Sequence, residues 1–551
     1  MPTLRTKPAQ KRLIPLQCMP EYPDPDDIFL DTKTDKMLLF ATSIMALVYF
    51  VFLAFLMPKG NVFLFYILIA GEVFHLWQIL TYVYTVWEPK FSPLKNNSFT
   101  PPVDIYITVT GEPAEIIEET AKAALAMEYP NFTVYLLNDG YVAKKPNWRE
   151  AETVAHRLGI TCITRTLPGG AKAGNINNAL RSTKATFVAI FDADQVPHRD
   201  FLTQTIPFLA EPDVGFVQSP QYYKNFNTNE ITVGSWEQQE LFFGAVCKGK
   251  NRLKSVFMCG TNMVVRKAAL LQAGGMCETN IAEDFLTSLF MHEQGWKSVY
   301  VPKILAEGLA PEDFLSYYKQ QFRWARGSLE VMFKYNPLFR RGLSWPQKIQ
   351  YLASSSFYFS GLIVLTNALL PLIFFFTGWA PLAVSTMALA AIFLPYIFLV
   401  ILTLQLTSNY SFTFRAIAFS MSSFTIHLQA LWAVMTAQKN GFSVTSKKQL
   451  SGNFLYLTTP HILYLAVTLV GVAVAVIRSG ISPAFLSNLS WALFNAALFS
   501  VFIVAAAPAK KNSQKLESEI NANSLRQLNP PANNPLTEGR GAYSLMDIRQ
   551  K

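Results

Sequence analysis

Apolar residues fall into blocks along the chain, and the blocks have two textures. Positions 37–57 run for 21 residues without a charge, enough to cross a bilayer at a rise of 1.5 Å per residue. Pro58-Lys59-Gly60 predicts a turn, and 61–87 predicts a second span with Glu72 and His75 inside it. Ionisable groups at that depth should face protein or a polar cavity rather than lipid. Between about 100 and 345 the runs are short. Positions 103–110 and 133–137 predict strands with a helical stretch at 114–127 between them, and 186–191 predicts a third strand ending at Asp192-Ala193-Asp194. Strands alternating with helices imply a parallel sheet, whose ligands sit at the carboxyl ends of the strands.

The long apolar texture resumes after Gly342. From Tyr351 to Tyr410 there is no Asp, Glu, Lys or Arg, and Arg415 is the only one before Lys439. This block could hold two long spans with surface helices or four shorter ones, with Pro371, Gly378–Pro381, Pro395 and Ser408-Asn409 as candidate breaks. The polar, basic stretch 440–450 predicts a loop, followed by spans near 454–477 and 482–507. If that loop and the polar domain share one side of a membrane, an even number of spans separates them. Hydropathy shows three apolar blocks there, so one is split or lies in the interface. The expected organisation is a segment 1–36, two transmembrane helices at 37–87, a globular domain at 100–345, transmembrane helices at 346–507 and a disordered polar tail at 508–551.

Composition sharpens the picture. Of 551 residues, 51% are hydrophobic and 15% charged, against roughly 25% charged in soluble domains. That excludes a plain soluble enzyme, while the polar stretch 100–345 excludes a purely transmembrane transporter. The net charge of +10 fits a positive-inside bias and attraction to anionic headgroups. No dense basic stripe interleaved with aromatics points to nucleic acid. The five cysteines form no CxxC pair and read as reduced thiols. The first 36 residues lack the pattern of a secretory signal.

Five polar clusters could carry chemistry. Asp192 and Asp194, spaced i, i+2 at a strand end, can reach one hard cation, Mg2+ or Mn2+, bridging the diphosphate of a nucleotide sugar. In isolation the same motif is as well a solvated turn. Asn138-Asp139-Gly140 ends another strand, where Asp139 could bind a base or ribose or simply close a turn. Lys172 follows Pro168-Gly169-Gly170 and opens a helix, which suits a phosphate as well as it suits a surface lysine. Glu283 and Asp284 precede the helical stretch 285–293, as a cap or as a general base for an acceptor hydroxyl. With that pair goes Phe257-Met258-Cys259-Gly260-Thr261, a short distance upstream, where Cys259 and Gly260 could line an acceptor pocket or pack in the core. Gln320-x-x-Arg323-Trp324 offers a planar fork for a diphosphate and a flat face for a sugar ring, or belongs to an amphipathic surface helix.

In this order and spacing the five clusters resemble those of processive family 2 glycosyltransferases, above all bacterial cellulose synthase catalytic subunits, over roughly residues 35–505. Phe442-Ser443-Val444-Thr445-Ser446-Lys447 resembles the F-x-V-T-x-K gating loop of that family. The resemblance implies an α/β GT-A domain facing the cytoplasm, inserted between helices of a multi-pass protein of the bacterial inner (plasma) membrane. It implies a UDP-sugar donor, most simply UDP-glucose, and a growing β-glucan as acceptor and exported product, with accessory export subunits as possible partners. Asp139 would contact the uridine, with Glu112 nearby on the donor side. Lys172, Arg323 and Gln320 would hold the diphosphate, and Asp192 and Asp194 the nucleotide and metal. Asp284, beside Glu283, would be the base, and Trp324, Cys259 and Gly260 would face the acceptor. Phe442, Val444, Thr445 and Lys447 would close over the donor.

Departures from the family pattern touch the sugar or linkage more than the chemistry. Asn138 stands where the family has a first Asp, Ala282 where it has Thr, Gln195 where cellulose synthases often have His, and the first strand ends Thr110-Gly111-Glu112-Pro113. The tail is too short for the PilZ domain that binds cyclic di-GMP, so regulation through such a domain is not expected. Two other functions stay open: a non-processive transferase acting on a membrane lipid, and a transporter or scaffold that binds nucleotide without catalysis.

Overall fold

The computed structural model describes residues 35–88, 91, 98–409, 411–438 and 452–508. The expectations for the N-terminal segment, for the loop bearing Phe442, Val444, Thr445 and Lys447, and for the tail lie outside the described residues, apart from their edges.

Ten strands build the α/β part: β1 (Val103–Val109), β2 (Phe132–Asn138), β3 (Thr161–Thr164), β4 (Phe187–Asp192), β5 (Val196–Pro197), β6 (Val214–Gln218), β7 (Tyr222–Tyr223), β8 (Met263–Arg266), β9 (Lys297–Tyr300) and β10 (Ala306–Gly308). Seven form one sheet in the order β3-β2-β1-β4-β8-β6-β9, and β5-β10-β7 form a small second sheet. β1 is parallel to both β2 and β4, while β8 runs antiparallel between β4 and β6. The central strand reads VDIYITV and is buried at every position, as a strand covered on both faces must be. Ile105, Ile107 and Val109 pack with Ile117, Ala121 and Ala124 of α3 (Ala114–Leu125), the third helix in chain order. Tyr106, Val188 and Ile190 pack on the other face with Ala173, Ile176 and Ala179 of α4 (Ala171–Ser182). Each such aliphatic side chain contributes about 1.5–3 kcal/mol of burial. The register then places the site: Val109 lies opposite Asn138, and Thr108 lies opposite Asp192, so the carboxyl ends of β1, β2 and β4 stand side by side.

Two helices precede the domain, α1 (Lys36–Leu56) and α2 (Val62–Val86). Within the domain follow α5 (230–252, with a π-helical stretch at Leu241–Val246), α6 (Glu283–Glu293) and α7 (Phe314–Tyr335). After it come α8 (Trp345–Thr377), α9 (Thr386–Thr407), α10 (Phe414–Met435), α11 (Leu455–Ser479) and α12 (Pro483–Ala506). Among the described residues seven helices are therefore long and apolar enough to cross a membrane: α1, α2 and α8 to α12. The 351–437 block is three helices rather than two or four. Gly378–Pro381 and Ser408-Asn409 do break it, but Pro371 and Pro395 lie inside α8 and α9. Prolines are tolerated there because neighbouring helices and local adjustments satisfy the freed backbone groups.

Six of these helices pair as hairpins whose turns meet. The backbone of Gly60 and Asn61 donates to Pro381 and Ala380 at 3.0 and 2.8 Å, and Ala383 donates to Pro58 at 2.9 Å. Arg478 at the end of α11 donates to Phe374 O at 3.1 Å, and Thr386 donates to Pro483 O at 3.0 Å. The opposite helix ends meet the α/β domain: Gly249 of α5 packs its backbone against Thr85 of α2, and Gln350 of α8 donates to Thr85 at 2.7 Å. The seventh helix, α10, differs. Of its apolar window 56% is buried inside the protein, against 33% at most for the others. Its residues join domain side chains: Phe419 packs with Tyr317 of α7, Gln238 donates to Ser420 at 3.1 Å, and Arg415 pairs with Glu230 and Glu237 of α5.

Candidate active site

The clusters converge where the parallel strands end. After β1 the chain turns through Gly111, and Glu112 folds back to accept from Thr110 N at 2.5 Å. After β2, Asn138 is fully buried and serves the turn itself: its amide donates to Trp148 O at 2.8 Å and its oxygen accepts from Gly140 N at 2.9 Å. An aspartate could not supply that donor. Asp139 is 6% exposed and paired with Arg165, whose Nε lies 2.7 Å and Nη2 2.5 Å from Oδ1. Burial raises the Asp139 pKa, and the Arg165 guanidinium opposes that rise. Arg165, placed at the end of β3, also donates to Gly169 O and Ala171 O, which clamps the Gly169-Gly170 turn. Nothing in the clusters pointed to Arg165. Its only signal was a cation just past a short strand and four residues before a Gly-Gly pair.

Lys172, on the first turn of α4, reaches across to the next strand. Its ammonium bonds Asp192 Oδ1 and donates to Gly260 O at 2.8 Å. Burial alone would lower its pKa, but the carboxylates of Asp192, Glu283 and Asp284 outweigh it and the net shift is upward. Lys172 is therefore a fixed cation. Asp192 also accepts from Thr108 Oγ1 at 3.1 Å, and its own N–H donates to Thr261 Oγ1 at 3.0 Å. Gly260 has φ +82°; a Cβ there would lie 3.1 Å from Asp284 Oδ2 and 3.6 Å from Lys172 Nζ. Glycine thus leaves a cradle between cation and carboxylate.

Asp284 and Glu283 open α6. Burial and then the neighbouring Glu283 push the Asp284 carboxyl up to about 7, while Phe285 N donates to its Oδ1 at 2.7 Å. Glu283 is also raised, by burial first, with Lys172 and then Arg323 opposing. Arg323 on α7 is thereby adjacent to this acidic pair. The close approach of α7 has a local cause: Gly327 packs its bare backbone on Ala282, leaving no room for a larger side chain at either position. Asp194, 3% exposed, and Arg323 both lie beside the Tyr223 hydroxyl, which also bonds Gln320 and accepts from Gln239 at 2.7 Å. Gln320 Oε1 is buried without a donor among the described residues. Trp324 is partly exposed on the same helix. Cys259 joins through its backbone, donating N–H to Gln218 Oε1 at 2.8 Å; its thiol leans on Phe257 O and burial raises its pKa far above the usual thiol value. Gln195 is spent internally, accepting from Asn262 at 3.0 Å.

Two family models match the chain, one described as Glycosyltransferase like family 2 over residues 101–327 and one described as Cellulose synthase over 272–511. Together the two matches run from residue 101 to residue 511, so the chain is similar to family 2 glycosyltransferases in its α/β part and to cellulose synthases from there through the second helical region. The cellulose synthase catalytic subunit [UDP-forming] of Pseudomonas fluorescens is 29% identical over 473 residues, which is 82% of this chain and 63% of that protein. Cellulose synthase 1 of Komagataeibacter xylinus is 31% identical over 488 residues, 82% of this chain and 30% of that one. The chain thus spans less than two thirds of the length of these curated relatives. Among solved structures, a mannosyltransferase from Pyrobaculum calidifontis in complex with GDP-Man and Mn2+ aligns at 19% identity with a TM-score of 0.46, covering 68% of this chain and 100% of that one. The α/β part, with its mainly parallel seven-stranded sheet, is set between helices long and apolar enough to cross a membrane.

The carboxylates fit a divalent cation. Asp192 and Asp194 are hard oxygen donors two residues apart at a strand end, and among the described residues no cluster of three acidic, His or Cys side chains exists to hold a metal by itself. A cation here would share its oxygens with a diphosphate.

Proposed function

We propose that this chain is an inverting, processive glycosyltransferase that transfers a sugar from a UDP-sugar, UDP-glucose first among them, to a growing β-glucan and passes the product through its own membrane helices. The carrying observation is the Lys172–Gly260–Asp284 arrangement: a fixed cation and an elevated carboxyl facing each other across a glycine, at the ends of the parallel strands.

Each residue has a task that follows from its surroundings. Asp139, held by Arg165, accepts hydrogen bonds from the uracil or ribose, with Glu112 beside it. Lys172 and Arg323 face the diphosphate and stabilise the charge that grows on departing UDP. Asp192 and Asp194 hold Mg2+ or Mn2+, which supplies Lewis-acid stabilisation of the same leaving group when bound. Asp284 takes the proton of the acceptor hydroxyl, and a pKa near 7 suits that work at neutral pH. The hydroxyl oxygen attacks the anomeric carbon from the face opposite UDP, so configuration inverts. Glu283 keeps Asp284 basic by its own charge. Gln320 stands with Arg323 on the donor side of α7, Trp324 orients the acceptor from the same helix, and the backbone at Cys259 and Gly260 closes the other wall.

Topology supports export. Three hairpin turns meet at one end of the bundle and the α/β domain joins the other end, so six crossings leave the domain and both ends of the described helical region on one side. Helix α10, tied by Arg415 to Glu230 and Glu237, lies along the interface, which restores an even span count. The domain faces the cytoplasm of a bacterial inner membrane, where nucleotide sugars are made.

Purified protein in proteoliposomes, given radiolabelled UDP-glucose and Mg2+ or Mn2+, should form high-molecular-weight product degraded by one linkage-specific β-glucanase and absent with Asp284→Asn. Label only in extractable lipid would overturn polymer synthesis in favour of lipid glycosylation.

A further inference from the structure

A cleft of about 340 Å³ lies on the domain surface away from the strand ends. Arg252 and Lys254 from the end of α5, His292 and Trp296 from the far end of α6, Lys297, and Gln347 of α8 are among its walls. Its depth relative to a membrane follows from its neighbours. Arg252 Nη2 donates to Tyr84 O at 2.6 Å, three residues from the end of α2, and Gln347 sits on the first turn of α8 and donates to Lys254 O at 2.8 Å. Both membrane helices therefore begin or end at its rim, beside Trp345, which is 70% exposed. An exposed tryptophan at a helix start marks the headgroup level.

The charge balance of the walls is positive. Lys297 is compensated by Asp213. Arg252 bonds a backbone carbonyl and lies over the Tyr84 ring at 5.5 Å, and no carboxylate pairs with it among the described residues. Its Nε is shielded from solvent yet has no acceptor. Lys254 is exposed with φ +51° and makes no side-chain hydrogen bond or ion pair among the described residues. His292 adds no charge: burial lowers its pKa to about 3, and its nitrogens bond Tyr351 at 2.8 Å and Ser298 at 2.9 Å. The carboxyl end of α6 points here with about half a negative charge, but Gly295 N caps His292 O at 3.0 Å and Trp296 N caps Met291 O at 3.1 Å. Asp213 also lies near enough to Lys254 to feel its charge, so one carboxylate is shared between Lys254 and Lys297. With Arg252 the walls keep an excess of two positive charges, which outweighs a capped helix end.

We propose that this cleft binds the phosphate headgroup of an anionic phospholipid, with the Arg252 guanidinium and Lys254 supplying its positive charge. The placement at headgroup depth selects a lipid over a soluble anion. The site also stands at the opposite end of α6 from Asp284, so lipid occupancy bears on the helix that carries the proposed base.

The test uses the full-length chain in detergent, titrated with phosphatidylglycerol or phosphatidylcholine and read by native mass spectrometry. One phosphatidylglycerol should stay bound under conditions that strip phosphatidylcholine. A headgroup surface rewards each unit of charge by about fivefold in affinity, so Lys254→Glu, on an exposed side chain, should weaken it by about 25-fold. Arg252→Gln, which removes one charge, should weaken it by about fivefold, and Lys184→Glu, elsewhere on the domain, should bind as wild type. Equal retention of both lipids, an unchanged Lys254→Glu, or displacement of the lipid by millimolar inorganic phosphate would each overturn the proposal.

Discussion

Alanine at Gly260 separates the site geometry from the stability of the fold. The residue has φ +82°, and a non-glycine residue in that region costs about 1–2 kcal/mol. Its methyl group would stand 3.1 Å from Asp284 Oδ2 and 3.6 Å from Lys172 Nζ. The first distance is too tight for a carbon against an oxygen, so the carboxylate must move by a few tenths of an ångström. The second fills the space between cation and base. For a domain of this size 1 kcal/mol shifts the melting temperature by about 2–4 °C, so the backbone term predicts a fall of about 2–8 °C. Displacing a catalytic group by about 1 Å costs about 100-fold, so a shift of a few tenths of an ångström should cost about 10-fold in kcat. Gly159→Ala provides the comparison, because Gly159 has φ +66° with nothing within 4 Å of a new Cβ. It should lose similar stability and keep its rate. Initial rates of UDP release, with melting scans in the same detergent, measure both quantities. Gly260→Ala turning over within threefold of wild type, or losing activity only in step with its unfolded fraction, would refute the argument.

Asp284→Asn should reduce turnover by about 1,000-fold, within the range for a lost general base, without lowering the melting temperature. A carboxyl whose folded pKa is raised makes the folded state less stable as pH climbs from its ordinary value towards 7, so the amide removes a penalty. By the same pKa, wild-type kcat should rise with pH through about 7 on its acid limb, and a limb below pH 5 would contradict the assignment. Arg165→Met strands a buried carboxylate at Asp139 and should cost about 3–5 kcal/mol, with Asp139→Asn in the same chain recovering part of it, as read from denaturant midpoints. Lys59→Cys and Ser482→Cys, in the hairpin turns, should react with an impermeant maleimide added outside intact cells, whereas Lys184→Cys should react only after permeabilisation. The reverse pattern would invert the topology.

Much of the protein was legible in one dimension. A charge-free run of 21 residues is a length criterion that a bilayer imposes directly, and α1, α2, α11 and α12 fall within a few residues of their expected bounds. β1, β2 and β4 are short apolar runs between turns, and the polar clusters stand where those runs end. The middle of the second helical region was not legible. Hydropathy measures transfer out of water, and α10 leaves water by packing on α5 and α7 as much as by meeting lipid. Pro371 and Pro395 misled for a related reason, since a proline ends an isolated helix but not one whose freed carbonyls find partners.

The sequence by itself determined the membrane texture, the strand–helix alternation and the order of the acidic, basic and aromatic clusters, because each is a property of neighbours along the chain. Only the tertiary structure decided what those clusters face. Lys172 meets Gly260 across 88 residues, Arg165 meets Asp139 across 26, and Arg323 reaches the Glu283–Asp284 pair because Gly327 lets α7 rest on Ala282. Such meetings depend on sheet register and on where a missing Cβ permits backbones to touch. Asn138 shows the converse: a departure that looked like a lost ligand is a buried amide holding its own turn, visible only once its partners at Trp148 and Gly140 are in place.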